Sequence, residues 1–172
     1  MVIRKAVLND LEQIEQTYDE HFEHEKTHGA FTIFEKGVYP TREVAERAIR
    51  EGAMHVCVLD GEIAGSIIAN ATQPAEYTQI PWDTDGRALV LHLLLVRPSM
   101  AGRGIGTALV EYAMQLARQS GYAALRLDTG SQNTPAVSLY KKNGFRIVSS
   151  GTMAVGGVLT HMSHLFLEKL VQ

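Results

Sequence analysis

Gly102, Gly104 and Gly106, with Arg103 and Ile105 between them, are the residues of this 172-residue chain best placed to do chemistry. They follow the apolar run Ala88 to Val96 and Pro98, and they lead into Ile105, Leu109, Tyr112 and Leu116 at helical spacing. A strand, a glycine-rich turn and a helix N-terminus together make an anion site. First-turn N–H groups point outward, the helix dipole adds partial positive charge, and glycine lets the backbone approach a phosphate without a Cβ in the way. Arg103 can add a charge at the rim. Two phosphate motifs do not fit. A Walker A loop needs Gly-Lys-Ser/Thr, where this chain has Gly106-Thr107-Ala108. A dinucleotide fingerprint would need glycine where Thr107 or Leu109 stands, although Asp128 lies at a suitable distance for a ribose contact. Two helices and three strands also precede this strand–loop–helix motif, whereas that fingerprint usually opens its fold.

A second candidate is His24-Glu25-Lys26-Thr27-His28, which spells the His-Glu-x-x-His signature of zinc hydrolases. Zinc would need both histidines on one helical face, a third ligand and an open position. Gly29 would end the helix where the second ligand sits, and no Gly-x-x-His extension follows. His161 and His164 are the only distant histidine pair that could complete a site. His21, His24 and His28 therefore read as the polar face of a helix, and no metal is expected. If that helix borders a ligand pocket, Glu20, Glu23 or Glu25 could attract a cationic substrate.

The elements that must carry these groups are legible from periodicity and punctuation. Val2 to Val7 alternates as a strand. Asn9 with Glu12 forms a capping box for a helix on Leu11, Ile14 and Tyr18, ending near Gly29. Thr41 caps a second helix on Val44, Ala45, Ala48 and Ile49, stopped by Gly52. Met54 to Leu59 and Glu62 to Asn70 make a hairpin about Asp60-Gly61. Ala71 to Arg87 is a long loop, a length often tied to function. Ala88 to Val96 is a buried central strand. The glycine-loop helix closes at Gly121. Ala123 to Thr129 is another buried strand. Thr134 caps and Pro135 starts a short helix ending at Gly144, and Phe145 to Ser149 and His161 to Leu167 are the last strands. The order β-α-α-β-β-β-α-β-α-β-β gives an α/β class with a mixed sheet and helices on both faces.

Hydrophobic residues are 45% and charged residues 20%, ordinary for one globular domain over 1–172. A net charge of −3 argues against nucleic acid. Its distribution is uneven: Val96 to Arg146 holds seven basic residues against Glu111 and Asp128, a net +5 that leaves −8 elsewhere. A local basic surplus suits a small polyanion. The single cysteine, Cys57, excludes an internal disulfide. The first ten residues lack the apolar run of a signal peptide, and no stretch reaches the ~20 apolar residues of a membrane helix. A cytoplasmic protein without a membrane partner is expected.

Val96-x-Pro98 followed by Ala101-Gly-Arg-Gly-Ile-Gly106 resembles the acetyl-CoA motif of the GNAT superfamily of N-acetyltransferases, (Gln/Arg)-x-x-Gly-x-(Gly/Ala). Asn133-Thr-Pro-Ala-Val-Ser-Leu-Tyr140-Lys-Lys-Asn-Gly-Phe145 resembles the family's second block. The element order matches too, so the resemblance covers essentially the whole chain. Ala101 departs from the usual Gln or Arg, at a position that contributes mainly a backbone N–H. The resemblance implies a single-domain GNAT fold, its mixed, mostly antiparallel sheet splayed between the two middle strands. It implies acetyl-CoA as cofactor and transfer of acetyl to a primary amine in a ternary complex.

Carried across residue by residue, the backbone of Leu94, Leu95 and Val96 would pair with the pantetheine arm and polarise the thioester carbonyl. Ala101, Gly102, Arg103, Gly104, Ile105, Gly106 and Thr107 would hold the phosphates. Asn133, Ser138 and Lys142 would lie on the cofactor side, and Tyr140 would be the general acid at the sulfur. The base is open. His92 shares Leu94's face by alternation if no bulge intervenes, and its titration range suits the task. Asp128 could bind the amine or cap a loop, Glu76 is another candidate, and a water chain would serve. Tyr39, Asn70, Gln73, Tyr77 and Trp82 are candidate acceptor-pocket residues or loop packing. The acceptor could be a polyamine, an amino acid, an antibiotic or a peptide amine. A non-catalytic acyl-CoA sensor and the zinc hydrolase are the alternatives. The apolar last strand is a candidate homodimer edge.

Overall fold

The computed structural model describes residues 1–172. Its strands are β1 (Val2–Lys5), β2 (Met54–Leu59), β3 (Glu62–Asn70), β4 (Ala88–Val96), β5 (Ala124–Gly130), β6 (Arg146–Val155) and β7 (Leu159–Leu170). The helices are α1 (Leu11–His28), α2 (Arg42–Arg50), α3 (Ile105–Gln119) and α4 (Thr134–Lys142). The strands hydrogen-bond in the order β1-β2-β3-β4-β5-β7-β6. β4 and β5 are parallel, whereas β1–β2, β2–β3, β5–β7 and β6–β7 are antiparallel. The mixed α/β sheet expected from sequence is therefore present. The last strand is not an edge: β7 is paired on both sides, and β6 is the edge strand. From His164 to Glu168, β7 therefore has no free edge at which a second copy could pair.

The chain divides into two compact units. The first comprises Met1–Ala30, Phe34–Ala69 and Leu93–Leu109. Its core includes Ile14 of α1, Ala45 of α2, Met54 and Val56 of β2, Ile67 of β3, and Ile105 and Leu109 of α3, all with 0–1% exposure. α1 does not use the expected Asn9 box. A 3-10 turn over Leu8–Asp10 precedes it, and the Asp10 carboxylate accepts from the Val7 N–H at 2.8 Å and from the Arg4 guanidinium at 2.7 Å. That contact ends β1 at Lys5. Gly29 closes α1 at φ 93°, and Thr41 caps α2 by accepting from the Val44 N–H.

The second unit comprises Phe31–Ile33, Asn70–His92 and Val110–Gln172. Its core holds Tyr77, Val90, Val110, Ala113, Leu125, Leu127, Phe166 and Leu167. The β4–β5 ladder runs from Ala88↔Ala124 to Val90↔Arg126, while β5 continues pairing with β7 as far as Gly130↔His164. β4 thus leaves β5 after three pairs, the divergence expected of the two middle strands. β6 and β7 run longer than periodicity suggests, because two register shifts interrupt their alternation. Asn133, not Thr134, caps α4, its side chain accepting from the Ala136 N–H at 3.3 Å.

Candidate active site

In the first unit the glycine loop has the geometry its composition demands. Gly102 and Gly104 sit at φ 77° and 78°, the left-handed region that side chains avoid. A Cβ on either would project into open space. The first helical bond of α3 runs from the Ala108 N–H to the Gly104 carbonyl, so the N–H groups of Ile105, Gly106 and Thr107 face out of the helix start. Gly65 makes this approach possible: a Cβ there would lie 2.8 Å from the Leu95 carbonyl oxygen and 3.1 Å from Ile105.

Two expectations about the loop change. The Ala101 N–H donates to the Pro98 carbonyl at 3.1 Å, closing the turn that enters the loop, so it is engaged within the chain. Arg103 is paired with Asp60 at 3.0 Å. That exposed pair is worth about 0–1 kcal/mol, little enough for a phosphate to compete for the guanidinium. Glu20 is also committed. One of its oxygens accepts from the Ser99 N–H at 2.7 Å and the other lies 3.4 Å from Arg97, which also reaches Glu62. Glu23 pairs with Lys26 and Glu25 with His21. Glu20 thus ties α1 to the segment after β4, whereas the Glu23 and Glu25 contacts lie within α1.

His24 and His28 stack with ring centroids 4.2 Å apart, and His28 Nδ1 lies 2.7 Å from the Thr27 hydroxyl. No group of three or more His, Cys, Asp or Glu side chains is arranged to hold a metal. The His-Glu-x-x-His spelling therefore gathers no third ligand.

β4 carries a break that sequence alternation could not show. Leu93 adopts φ 48°, rare for a side chain with a γ-branch, so the alternation of the strand is interrupted between His92 and Leu94. Strand alternation therefore does not put His92 on Leu94's face. Tyr39, buried in the first unit, packs edge-on against Phe34 at 5.5 Å.

In the second unit a polar cluster centres on Asp128 of β5. Its Oδ1 accepts from the Tyr77 hydroxyl at 2.9 Å, and its Oδ2 lies 2.9 Å from His164 Nδ1 of β7. Burial, then the Asp128 charge and hydrogen bond, push the Tyr77 phenol well above its ordinary range. Burial, then Asp128, does the same for Tyr140 of α4. Burial pulls His92 down while Asp128 opposes it, and His92 Nε2 lies 3.3 Å from the Thr72 carbonyl oxygen. Tyr77, His92, Tyr140 and His164 thus all feel one carboxylate.

Beside that cluster, Arg126 and Glu168 form a buried pair at 2.9 Å, with side-chain exposures of 6% and 0%. Arg126 also donates to Gln73 Oε1 at 2.9 Å and to the Thr84 carbonyl, and its guanidinium lies 4.6 Å from the Trp82 ring centroid. Trp82 packs on Tyr77 at 5.0 Å and donates to its carbonyl. Gln73 and Trp82 are therefore taken up in fastening the long loop. Asn70 turns its carboxamide onto the Thr72 N–H. Glu76 accepts from the Ala154 N–H at 3.0 Å, which ties the loop to β6. Asn133 caps α4, and Ser138 and Lys142 are exposed on that helix.

The expected residues fall into two groups. Leu94 to Thr107 gather about the start of α3, and Tyr77, His92, Asp128 and Tyr140 gather about Asp128. Sequence reasoning missed His164 as a partner of Asp128 and missed the Arg126–Glu168 pair. The only available signal was the His161-Met-Ser-His164 spacing.

A family model described as the acetyltransferase (GNAT) family matches residues 10–145. The chain belongs to the acetyltransferase (GNAT) family, whose cofactor is acetyl-CoA. An uncharacterised N-acetyltransferase of Methanocaldococcus jannaschii is 25% identical over 149 residues, 83% of this chain and 59% of that protein. A GNAT-family acetyltransferase structure from Streptococcus agalactiae superposes with TM-score 0.81 at 22% identity, covering 99% of this chain and 95% of that one. An acetyltransferase from Salmonella typhimurium, solved with its cofactor acetyl-CoA, gives TM-score 0.72 at 17% identity, covering 100% and 94%. The chain spans between 20% and 62% of the length of the curated relatives it matches. No helix is long and apolar enough to cross a membrane.

Proposed function

We propose that the chain acts over 1–172 as one acetyl-CoA-dependent N-acetyltransferase domain, passing acetyl to a primary amine of a small molecule or peptide by direct attack. The observation that carries this reading is the glycine loop. Gly102 and Gly104 hold left-handed backbone that opens on empty space at the start of the 15-residue helix α3. Such a cradle of outward N–H groups fits a pyrophosphate. Bound acetyl-CoA supplies the acetyl thioester.

The remaining roles belong to this chain's residues. Gly102 to Thr107, with Ala101 setting the turn and Arg103 released from Asp60, hold the phosphates. Leu94, Leu95 and Val96 offer backbone groups to the pantetheine arm, since β4 is freed from β5 beyond Val90. Asn133, Ser138 and Lys142 lie on the cofactor side of α4. Tyr140 keeps its proton at neutral pH and donates it to the leaving sulfur. Asp128, Tyr77 and His92 form the acceptor side, where a carboxylate attracts an ammonium ion.

The test is a calorimetric titration with acetyl-CoA, using NADH and ATP as controls. Micromolar binding of acetyl-CoA alone is expected. Gly104→Val forces a β-branched residue into left-handed backbone at a cost of about 1–2 kcal/mol, so binding should weaken about tenfold or more. Equal binding of ATP, or no effect of Gly104→Val, would sink the assignment of the loop.

A further inference from the structure

The acetyltransferase reading leaves the group that removes the acceptor's proton unassigned. His164 is 4% exposed, and its Nε2 is a buried atom with no hydrogen-bond partner. Its other ring nitrogen, Nδ1, lies 2.9 Å from Asp128 Oδ2. A carboxylate can only accept, so Nδ1 carries a proton, and in the neutral ring the lone pair is on Nε2. This is the base-and-orienter part of a hydrolase triad, with no nucleophile of the protein's own on Nε2.

The sequence of β5 and β7 builds this pair. Gly130 stands directly across from His164, and Phe166 across from Asp128, so the carboxylate reaches the ring diagonally along one face. Gly130 offers no side chain, and the Gln132 carboxamide folds to within 2.6 Å of where its Cβ would be. From His161 to His164 β7 advances three residues while β6 advances only from Gly151 to Met153. The extra residue on β7 brings His161 round to His164, with ring centroids 4.9 Å apart. His161 Nδ1 is likewise buried without a partner.

We propose that His164, oriented by Asp128, is the general base of the reaction and receives a proton from the acceptor's ammonium group at Nε2. The proposal rests on the acetyltransferase reading. The ammonium gives one proton to Nε2. Its nitrogen then bonds the acetyl carbon as the carbon–sulfur bond breaks. Tyr140 gives its hydroxyl proton to the sulfur, which keeps the electron pair, and the second nitrogen proton restores the phenol. His164 returns its proton to water. His92 also lies in the field of Asp128, but its Nε2 donates to the Thr72 carbonyl, so its basic nitrogen is Nδ1 and Asp128 does not orient it by a hydrogen bond. The other groups around the pair are Tyr77, Tyr140 and His161, with Arg126 beyond Tyr77.

The experiment uses His164→Asn, whose side-chain amide can still donate to Asp128 but offers no basic nitrogen. Methylamine is the ammonium probe, and hydroxylamine is a nucleophile already neutral near pH 7. Thiol release from acetyl-CoA is followed, and acetyl-CoA affinity is measured by calorimetry. His164→Asn should bind acetyl-CoA as the parent does and turn over hydroxylamine normally. Its kcat/KM for methylamine should fall about 10²–10⁴-fold, and the rising limb of the pH profile should be lost. Nitrogen-15 spectra of the parent should show the neutral ring of His164 as the Nδ1–H tautomer. The Nε2–H tautomer, or equal losses with both amines, would overturn the base assignment while leaving the transferase reading intact. Turnover of neither amine by the parent would remove the transferase reading, and the base with it.

Discussion

Asp128 is a single carboxylate with several dependents, and its neighbours divide by what they can do. Tyr140 is buried, and both burial and the Asp128 charge hold its phenol above the ordinary range. Such a group is protonated throughout the neutral range, so it serves as an acid and not as a base. Tyr140→Phe removes one oxygen and keeps the ring packed edge-on against Phe145 at 5.6 Å. Acetyl-CoA affinity and thermal stability should be nearly unchanged, while kcat falls about 10²-fold. Steady-state thiol release beside a calorimetric titration measures both. Unchanged turnover would mean that another donor protonates the sulfur. Binding without turnover in the parent itself would mark the chain as an acyl-CoA sensor.

At the scale of elements, the segment from 71 to 87, expected as a plain loop, contains a 3-10 helix over Ala75–Gln79 and is fastened in place by charge and ring contacts. Glu168 uses one oxygen for Arg126 and the other for the Asp83 N–H at 2.7 Å, and Asp83 in turn pairs with Arg146. Glu168→Gln leaves the Arg126 charge buried without a counter-charge, a loss of roughly 3–5 kcal/mol. Urea unfolding should register it, and limited proteolysis should cut sooner within 71–87. An unaltered urea midpoint would show that Trp82 and Gln73 hold Arg126 without Glu168. This segment also shows why periodicity reads some elements and not others. α2, β2, β3 and β4 were legible because caps, a turn dipeptide and long apolar runs are local signals. The glycine loop was legible because left-handed backbone leaves a residue-type signature. The Asn9 box was misread because Arg4 and Val7 claim Asp10 instead. His164 was illegible as a partner of Asp128. Their contact depends on strand register, and His161 joins them only through an extra residue in β7, and alternation carries no information about either.

For the molecule as a whole, acidification should act through histidines held neutral by their surroundings. Burial, reinforced by Lys5, pulls His55 of β2 down to about 4 from an ordinary 6.5. Burial lowers His21 in the first unit, and His92 and His161 in the second. A lowered histidine binds its proton more readily unfolded than folded. Its contribution is therefore complete above the unfolded value of 6.5 and is lost as pH falls toward the folded value. For His55 that window runs from 6.5 down to about 4, and the loss is about 2 kcal/mol once partial solvation of the ring is allowed for. Asp10 acts in the same direction at lower pH, because the Arg4 hydrogen bond holds its carboxyl below 3.8. Urea midpoints should be level above neutrality and should fall steadily between pH 6.5 and about 4. His55→Gln should flatten part of that fall without changing the plateau's slope. A midpoint that stays level to pH ~4 would mean that these imidazoles titrate alike in the folded and unfolded chain.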